Sequence, residues 1–168
     1  MGEAARVVRS DGTQFLRFAL RPLRRFADFR GRCTRREVAA WYIVTMVGSF
    51  LVKAASRAIA PGAEFVADLL FWLALLCPTC ALFVRRLHDS GRSGWWSLLL
   101  LPALINGHYE MWMAAVTGQA YVPDLITGWW LAAAGIMLIA FFGLLLIDGS
   151  PQDNRWGPNP RNNAPESD

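Results

Sequence analysis

The strongest constraint on the fold is a run of 23 residues, 125–147, that contains no Asp, Glu, Lys or Arg. About 18 uncharged, apolar residues are enough to mark a candidate membrane-spanning helix. Three further uncharged runs precede it and cover residues 38–52, 69–84 and 93–109. Charged residues make up only 18% of the chain, against about 25% in soluble domains. These patterns predict a small multi-pass membrane protein and disfavour a soluble DNA-binding domain, a disordered chain and a disulfide-rich secreted fold.

Basic residues are concentrated on one side of the predicted membrane. Of the 17 Lys and Arg residues, ten lie in the first 36 positions, three between the second and third uncharged runs and two after the fourth. Only Lys53 and Arg57 lie elsewhere. If four helices cross the membrane, these three groups of basic residues lie on one side of it. The positive-inside rule assigns that side to the cytoplasm. The sequence therefore predicts that both termini are cytoplasmic.

The predicted fold class is an all-α integral membrane protein with four transmembrane helices preceded by a basic interfacial helix. The spans are expected at about residues 38–59, 65–84, 95–116 and 129–147. Residues 13–162 form a single membrane domain in this prediction, whereas residues 1–12 and 163–168 form a flexible N-terminus and a flexible C-terminal tail.

Two parts of this prediction have alternatives. Apolar and basic side chains recur at helical spacing over residues 13–29, which is typical of an amphipathic helix on the membrane surface. Pro22 should break or kink that helix, and an arginine-rich flank without a helix is the alternative. The span 95–116 contains Pro102 and a polar stretch at 106–110. It therefore predicts either one helix with a polar girdle or a short re-entrant segment followed by an interfacial one.

Three groups of motifs flank the predicted spans. The most distinctive, at residues 85–96, reads RRLHDSGRSGWW and predicts a tight cytoplasmic loop whose glycines permit a turn. The others are FRGR at 29–32 with RRE at 35–37, and DNRWGPNP at 153–160. Together these motifs resemble those of the bacterial inner-membrane family called domain of unknown function 805, and the resemblance covers nearly the whole chain.

The resemblance implies a multi-pass topology in the bacterial inner membrane and a set of motifs, but no reaction. The chain departs from the family pattern at Val38 and Ala39, where an aromatic pair usually stands. Asn159 stands where aspartate is common, and residues 106–128 form what looks like an expanded outer loop.

The three motif groups are expected to meet on the cytoplasmic side as one inner face. Glu37, Asp89 and Asp153 are the carboxylates available there to pair with arginines. The candidate residues of this face are Gly31, Arg32, Arg35, Glu37, Arg85, Arg86, His88, Asp89, Gly91, Arg92, Gly94, Trp95, Asn154, Arg155, Gly157 and Pro160.

The histidine next to an aspartate in the central motif raises the question of catalysis. His88 and Asp89 could bind a metal or shuttle protons. A metal site needs three or four ligands, however, and the only other histidine, His108, is predicted on the opposite side. Ser90 and Ser93 show no sign of activation as nucleophiles. We therefore expect His88 and Asp89 to be structural hydrogen-bonding groups, and we expect no metal, no cofactor and no enzymatic activity.

Cys77 and Cys80 have the spacing of a redox pair. They lie within an apolar helix, however, and not at the exposed start of a helix in a thioredoxin-like unit. We expect both thiols to pack as small hydrophobic groups.

Two functions are compatible with these features. The first is a non-enzymatic membrane protein whose arginine-rich cytoplasmic face contacts anionic lipid headgroups or a partner protein, although the arginines also serve to set the topology. Nucleic acid is not an expected partner. The alternative is a small transporter or channel component that acts as an oligomer. Its candidate polar groups are Asp68, Lys53, Arg57 and the polar stretch 106–110, but all are predicted near the outer interface.

Overall fold

The structure is a computed structural model that describes residues 2–118 and 125–162. The described residues form α-helices, one 3-10 helix and connecting turns, and they contain no β-strand. The α-helices are α1 (Gly2–Arg24), α2 (Arg35–Ile59), α3 (Glu64–Asp89), α4 (Leu101–Thr117) and α5 (Leu125–Leu146), and the 3-10 helix covers Gly94–Leu100.

Three helices in the described part of the chain are long and apolar enough to cross a membrane. They are Arg35–Ile59, Glu64–Asp89 and Gly128–Leu146. Most of their surface is not covered by protein, and large apolar side chains such as Phe50 and Ile139 are more than 70% exposed. An exposed apolar surface of this extent is typical of a contact with a membrane or with another protein. The prediction of an all-helical membrane protein is confirmed, whereas four spans and an interfacial helix remain predictions.

Helix α2 begins with a capping box and packs closely on α3. The Thr34 hydroxyl accepts from the Glu37 amide, while the Glu37 carboxylate accepts from the Thr34 amide, so two otherwise unpaired donors are satisfied. This cap starts the helix slightly before the predicted residue 38. Further along, Gly48 faces the ring of Phe71, where an added Cβ atom would lie only 2.8 Å from the ring. The absence of a side chain therefore lets the two helices approach.

Helix α3 extends past the predicted end at residue 84. The segment from Arg85 to Asp89 was expected in a loop, but it forms the last turn of the helix and is buried. A Schellman-type arrangement ends the helix: the Arg92 amide donates to Leu87 O at 2.9 Å, and the Gly91 amide donates to His88 O at 3.0 Å. Gly91 has a φ of 75°, which glycine adopts without strain.

The region predicted as a third span, 95–116, is divided. Gly94–Leu100 is a 3-10 helix, and α4 follows it directly. Pro102 explains the change, because proline lacks an amide donor and is tolerated only in the first turn of an α-helix. The helix α4 then continues through the polar stretch 106–110 without a break. Neither predicted alternative describes the region: the first turns are a 3-10 helix and not part of one α-helix, and the polar stretch does not separate two segments.

Helix α1 is longer than predicted. It begins at Gly2, before the expected start at residue 13, and it continues past Pro22 to Arg24. Pro22 is buried, and α1 packs on both α2 and α3, so tertiary contacts stabilise the helix around the proline. The flexibility of residues 1–12 remains a prediction, and the tail at 163–168 lies outside the described residues.

Candidate functional site

A buried carboxylate is the centre of the site. Asp89 has no solvent-exposed surface, and its Oδ1 atom accepts from Arg32 Nε and lies 2.9 Å from Arg32 Nη2. Its Oδ2 atom accepts from Arg86 Nη1 and lies 3.5 Å from Arg161 Nη2. Three arginines therefore converge on one carboxylate, and we call these four residues the Asp89 cluster. Ion pairs this deeply buried need several hydrogen bonds to offset the cost of desolvation.

Arg32 connects the α1–α2 loop to the chain after α5. Besides Asp89, its guanidinium donates to the backbone carbonyls of Gln152, at 2.8 Å, and of Ser150. A guanidinium has five N–H donors in a planar fork, so one side chain can bind several acceptors. Arg32 thereby holds the C-terminal segment against the end of α3.

Arg86 caps the carboxyl end of α5. Its Nε atom donates to Leu145 O at 2.8 Å and its Nη2 atom donates to Ile147 O. The last carbonyls of a helix have no partner within the helix and carry partial negative charge. Arg86 satisfies two of these carbonyls while it also pairs with Asp89, which explains why an arginine can be fully buried here.

Gly149 allows the chain to pass directly over Asp89. A Cβ atom at this position would overlap the carboxylate, with even the more distant Oδ1 atom at 2.8 Å. The next residue, Ser150, donates its amide to Asp89 O at 2.8 Å. The end of α5 and the end of α3 are therefore joined through both the backbone and the side chain of Asp89.

His88 is held by stacking and by a hydrogen bond. Its ring lies parallel to the Trp156 indole, with 3.6 Å between the ring centroids and 3° between the planes. Its Nδ1 atom is 3.3 Å from Gly31 O. Asn154 donates to His88 O at 2.9 Å, and the Arg155 guanidinium carbon lies 4.7 Å from the Trp156 ring centroid. His88 therefore fixes the C-terminal segment to the α1–α2 loop.

The C-terminal segment itself is folded by short-range hydrogen bonds. Asn154 and Gly157 exchange two backbone bonds, and Gly157 has a φ of 134°. Asn159 is buried; its amide donates to Asp153 Oδ1 and its side chain donates to Pro151 O, both at 2.8 Å. Asp153 was expected to pair with an arginine, whereas the described contact is with this amide.

Two of the expected acidic and basic residues pair with other partners. Glu37 is buried and pairs with Arg21 of α1 at 2.9 Å. Arg35 pairs with Asp148 at 2.8 Å on the surface. These contacts place α1 and the start of α2 beside the Asp89 cluster, but not within it.

The remaining candidates contribute to the edge of the site. Gly94 faces Val84, where an added Cβ atom would lie 2.7 Å from a methyl group. Trp95 is 77% exposed, and Pro160 is half-buried in the C-terminal segment. Arg92 contributes its backbone to the end of α3.

Arg85 differs from the other buried arginines. It has no exposed surface, and its Nε atom donates to Ala81 O at 3.2 Å. Its Nη1 and Nη2 atoms have no hydrogen-bond partner within the described part of the protein. The Arg85 carbonyl accepts from the amide of Cys33, a fully buried residue whose thiol pKa is raised by desolvation. The thiol of Cys33 is therefore protonated and neutral.

The described residues contain no group of three or more His, Cys, Asp or Glu side chains placed to hold a metal ion. The site consists instead of guanidinium groups, backbone carbonyls, carboxylates and one stacked imidazole. These groups join the end of α3, the α1–α2 loop and the chain after α5.

Sequence patterns missed four important residues. Arg161, Arg21 and Gly149 contact residues that are distant in the chain, and a single sequence carries no signal for such pairings. Trp156 lies within the DNRWGPNP motif and could have been selected as the one large aromatic side chain in that motif.

The family described as "Protein of unknown function (DUF805)" matches residues 26–158. The matched range includes Arg32, the whole of α3 and most of the C-terminal segment, and it covers well over half of the chain. The chain belongs to this family. The matched range includes the residues of the Asp89 cluster except Arg161, which lies beyond it.

Several proteins of Escherichia coli (strain K12) are similar to this DUF805 chain. The inner membrane protein YhaH is 26% identical over 145 residues, which cover 84% of this chain and 94% of YhaH. The inner membrane protein YhaI is 25% identical over 146 residues, which cover 87% and 97% of the two chains. The uncharacterized protein YiiR is 28% identical over 135 residues, covering 77% and 84%. No solved structure matches the chain.

Proposed function

We propose that this protein is a non-enzymatic, multi-pass protein of the bacterial inner membrane whose arginine-rich cytoplasmic face binds anionic lipid headgroups. The observation that carries the proposal is the exposed surface of α1. Leu16, Leu20 and Leu23 are between 42% and 55% exposed and follow one another at helical spacing. An apolar stripe of this kind on a basic helix is suited to the membrane interface.

The basic residues of α1 form a second stripe beside the leucines. Arg17, Arg21 and Arg24 are each one position further along than the three leucines, and all are exposed. Two parallel stripes, one apolar and one cationic, let the leucines enter the acyl boundary while the guanidinium groups of Arg17 and Arg24 meet phosphates. Arg21 pairs with Glu37 instead. Each such arginine contributes about 1 kcal/mol of attraction to an anionic surface.

The position of α1 is fixed by the rest of the fold. Ala19 and Pro22 are buried against the neighbouring helices, and Arg21 pairs with the buried Glu37. The Asp89 cluster holds the adjacent loop through Arg32. The basic surface is therefore ordered before lipid arrives, which lowers the entropic cost of binding.

The proposed topology has four crossings and cytoplasmic termini. Arg86 of α3 bonds to carbonyls at the end of α5, so these two helices end at the same level. The chain that leaves α3 must therefore cross back to the other side of the membrane before α5 begins. The 3-10 helix and α4, with 7 and 17 residues, extend about 14 Å and about 26 Å. Together they supply the length of the return crossing.

Reporter fusions test this topology. Fusions after Arg36, within residues 90–93 and after Asn162 are expected to report the cytoplasm. A fusion within residues 117–124, of which 119–124 lie outside the described residues, is expected to report the opposite side. A fusion after Asn162 that reports the outside would show that the region between α3 and α5 does not cross.

The absence of catalysis in this proposal rests on how the polar groups are used. Both carboxylate oxygens of Asp89 accept from guanidinium groups. His88 is buried between contacts to Gly31 and Trp156. A general base needs a lone pair directed at a substrate, and the guanidinium contacts of Asp89 hold its carboxylate away from that role.

A second candidate, a transporter or channel component acting as an oligomer, is favoured by one cavity. It measures about 440 Å³ and lies between α2, α3 and α4, where Ser49, Lys53 and Asp68 form its polar part. Asp68 is buried, accepts from Ser49 at 2.6 Å and pairs with Lys53 at 3.2 Å. The Asp68 carboxylate is therefore held by two partners at the edge of the cavity. Flux through proteoliposomes that is lost in Asp68→Asn would favour this candidate.

Lipid selectivity tests the leading proposal. The protein is reconstituted in nanodiscs that hold equal amounts of phosphatidylglycerol and phosphatidylcholine. Native mass spectrometry then counts the lipids that stay bound to the protein after it is released from the nanodisc. Wild type is expected to retain mainly phosphatidylglycerol. Arg24→Gln should lower the selectivity about fivefold, the equivalent of about 1 kcal/mol. Arg57→Gln, which removes a 78% exposed guanidinium at the far end of α2, is the control. Equal retention of both lipids by wild type would contradict the proposal.

A further inference from the structure

Arg85 carries buried hydrogen-bond donors that the protein does not use. Of its five N–H groups, the described structure satisfies the one on Nε. The Nη1 and Nη2 atoms are buried and unpaired. Buried polar groups without a partner are rare and costly, and more so when they are charged.

The charge of Arg85 is also uncompensated. The carboxylates of Asp28 and Glu37 both act on it electrostatically. Asp28 already pairs with Arg25 at 2.6 Å, and Glu37 already pairs with Arg21 at 2.9 Å. The neighbouring thiol of Cys33 is neutral. Arg85, which has no exposed surface, therefore has no ion pair of its own within the described residues.

A second unpaired donor lies in the same part of the fold. Trp156 Nε1 is buried without a partner in the described structure. Trp156 stacks on His88, whose Nδ1 atom contacts Gly31 O, and the Arg85 carbonyl bonds to the amide of Cys33. The backbone of Arg85 therefore contacts the 31–33 segment directly, and Trp156 is connected to it through His88. Every unpaired buried side-chain atom in the described residues is a donor, so the missing partner is an acceptor and not a cation.

We propose that Arg85 binds the phosphate group of an anionic ligand, which enters beside the 25–33 segment that links α1 to α2. A phosphate offers two oxygens in the geometry that the guanidinium fork accepts. Arg25, which is 40% exposed, begins this segment, and its guanidinium lies close to Gly31 while it pairs with Asp28. The inference rests on the proposed lipid-binding function, because a lipid headgroup is one source of the phosphate, and free inorganic phosphate is the other.

Thermal stability in a neutral detergent tests the site with three probes. Purified full-length protein is titrated with phosphatidylglycerol, phosphatidylcholine or inorganic phosphate. The variants are Arg85→Gln, which removes the charge, and Arg85→Lys, which keeps it but lacks the fork. Arg36→Gln is the control, because it removes an exposed arginine at the start of α2. The midpoint of unfolding is recorded against probe concentration.

Wild type and Arg36→Gln are expected to be stabilised by a phosphate-bearing anion. Half-maximal stabilisation should need at least about tenfold more probe in Arg85→Gln, and Arg85→Lys should lie between. A response to phosphatidylglycerol alone identifies a lipid headgroup, whereas an equal response to inorganic phosphate identifies a free anion. Both outcomes support the site.

Two outcomes would overturn the site. If Arg85→Gln responds like Arg36→Gln, or if no anion stabilises wild type, Arg85 is not a phosphate ligand. The first outcome leaves the proposed lipid-binding surface of α1 intact, since wild type would still respond to phosphatidylglycerol. If Arg85→Gln does not fold, Arg85→Lys tests the site instead. A midpoint of unfolding that responds to the probes as in wild type would then contradict phosphate binding by the guanidinium of Arg85.

Discussion

Gly149 lies directly against the carboxylate of Asp89, with no room for a side chain between them. This contact lets Asp89 join α3 to the segment after α5 while three arginines surround it. Gly149→Ala is therefore expected to displace the carboxylate and lower the free energy of unfolding by about 1–3 kcal/mol, the usual cost of overpacking. Chemical unfolding in detergent micelles measures the change.

Gly143→Ala is the matched control for this substitution. Gly143 lies in α5, and an added Cβ atom there meets nothing within 4 Å. The free energy of unfolding of Gly143→Ala should be unchanged or slightly raised, because alanine favours helices. Equal losses in both variants would mean that the contact between Gly149 and Asp89 does not stabilise the fold.

The Asp89 cluster makes a second prediction about stability. Asp89→Asn leaves Arg32 and Arg86 buried without a countercharge, so we expect a loss of about 3–5 kcal/mol. Asp148→Asn removes an equivalent charge from a side chain that is 89% exposed and pairs with Arg35. Such surface pairs contribute about 1 kcal/mol or less. The same unfolding experiment compares the two, and similar losses would contradict the importance of burial.

The contacts of the Asp89 cluster explain why only part of the fold is readable from the sequence. Uncharged runs located α2, α3 and α5 to within a few residues, because lipid excludes charge from most of a spanning helix. The same rule placed the end of α3 too early. Arg86 and Asp89 are charged, yet they continue the helix because each satisfies the other and because Arg86 caps α5.

The site was predictable as a set of motifs but not as a set of contacts. Arg32, Arg86 and Asp89 were selected from the sequence, and the structure brings them together. Arg161 and Gly149 complete the arrangement through contacts between segments that are 60 or more residues apart. One sequence shows which side chains can pair, but the packing of α3 against the C-terminal segment decides which ones do.

His88 distinguishes a structural role from a catalytic one. His88→Phe keeps an aromatic ring to stack on Trp156 but removes the hydrogen-bonding atom near Gly31 O. His88→Gln keeps a donor for that carbonyl but loses the stacking. Each variant retains one of the two contacts, so both should reach near-normal membrane abundance and complement a deletion strain. Normal abundance with failed complementation by both variants would indicate catalysis, since neither a phenyl ring nor an amide can accept a proton near neutral pH.

The buried thiol of Cys33 predicts a labelling pattern. Desolvation raises the pKa of this thiol, and the thiolate, which is the reactive form, is therefore scarce at neutral pH. In a variant with Cys77→Ala and Cys80→Ala, maleimide should not label the folded protein at pH 8 but should label it fully after denaturation. Rapid labelling of the folded protein would show that the segment between α1 and α2 is open.

The most direct measurement concerns the lipid that surrounds the protein in its own membrane. The protein is extracted from bacterial membranes with a polymer that retains the adjacent lipid, and mass spectrometry compares its anionic lipid fraction with that of the bulk membrane. Wild type is expected to be enriched in anionic lipid, and a variant with Arg17→Gln and Arg24→Gln should lose most of the enrichment. An anionic fraction equal to that of the bulk membrane around wild type would contradict the account.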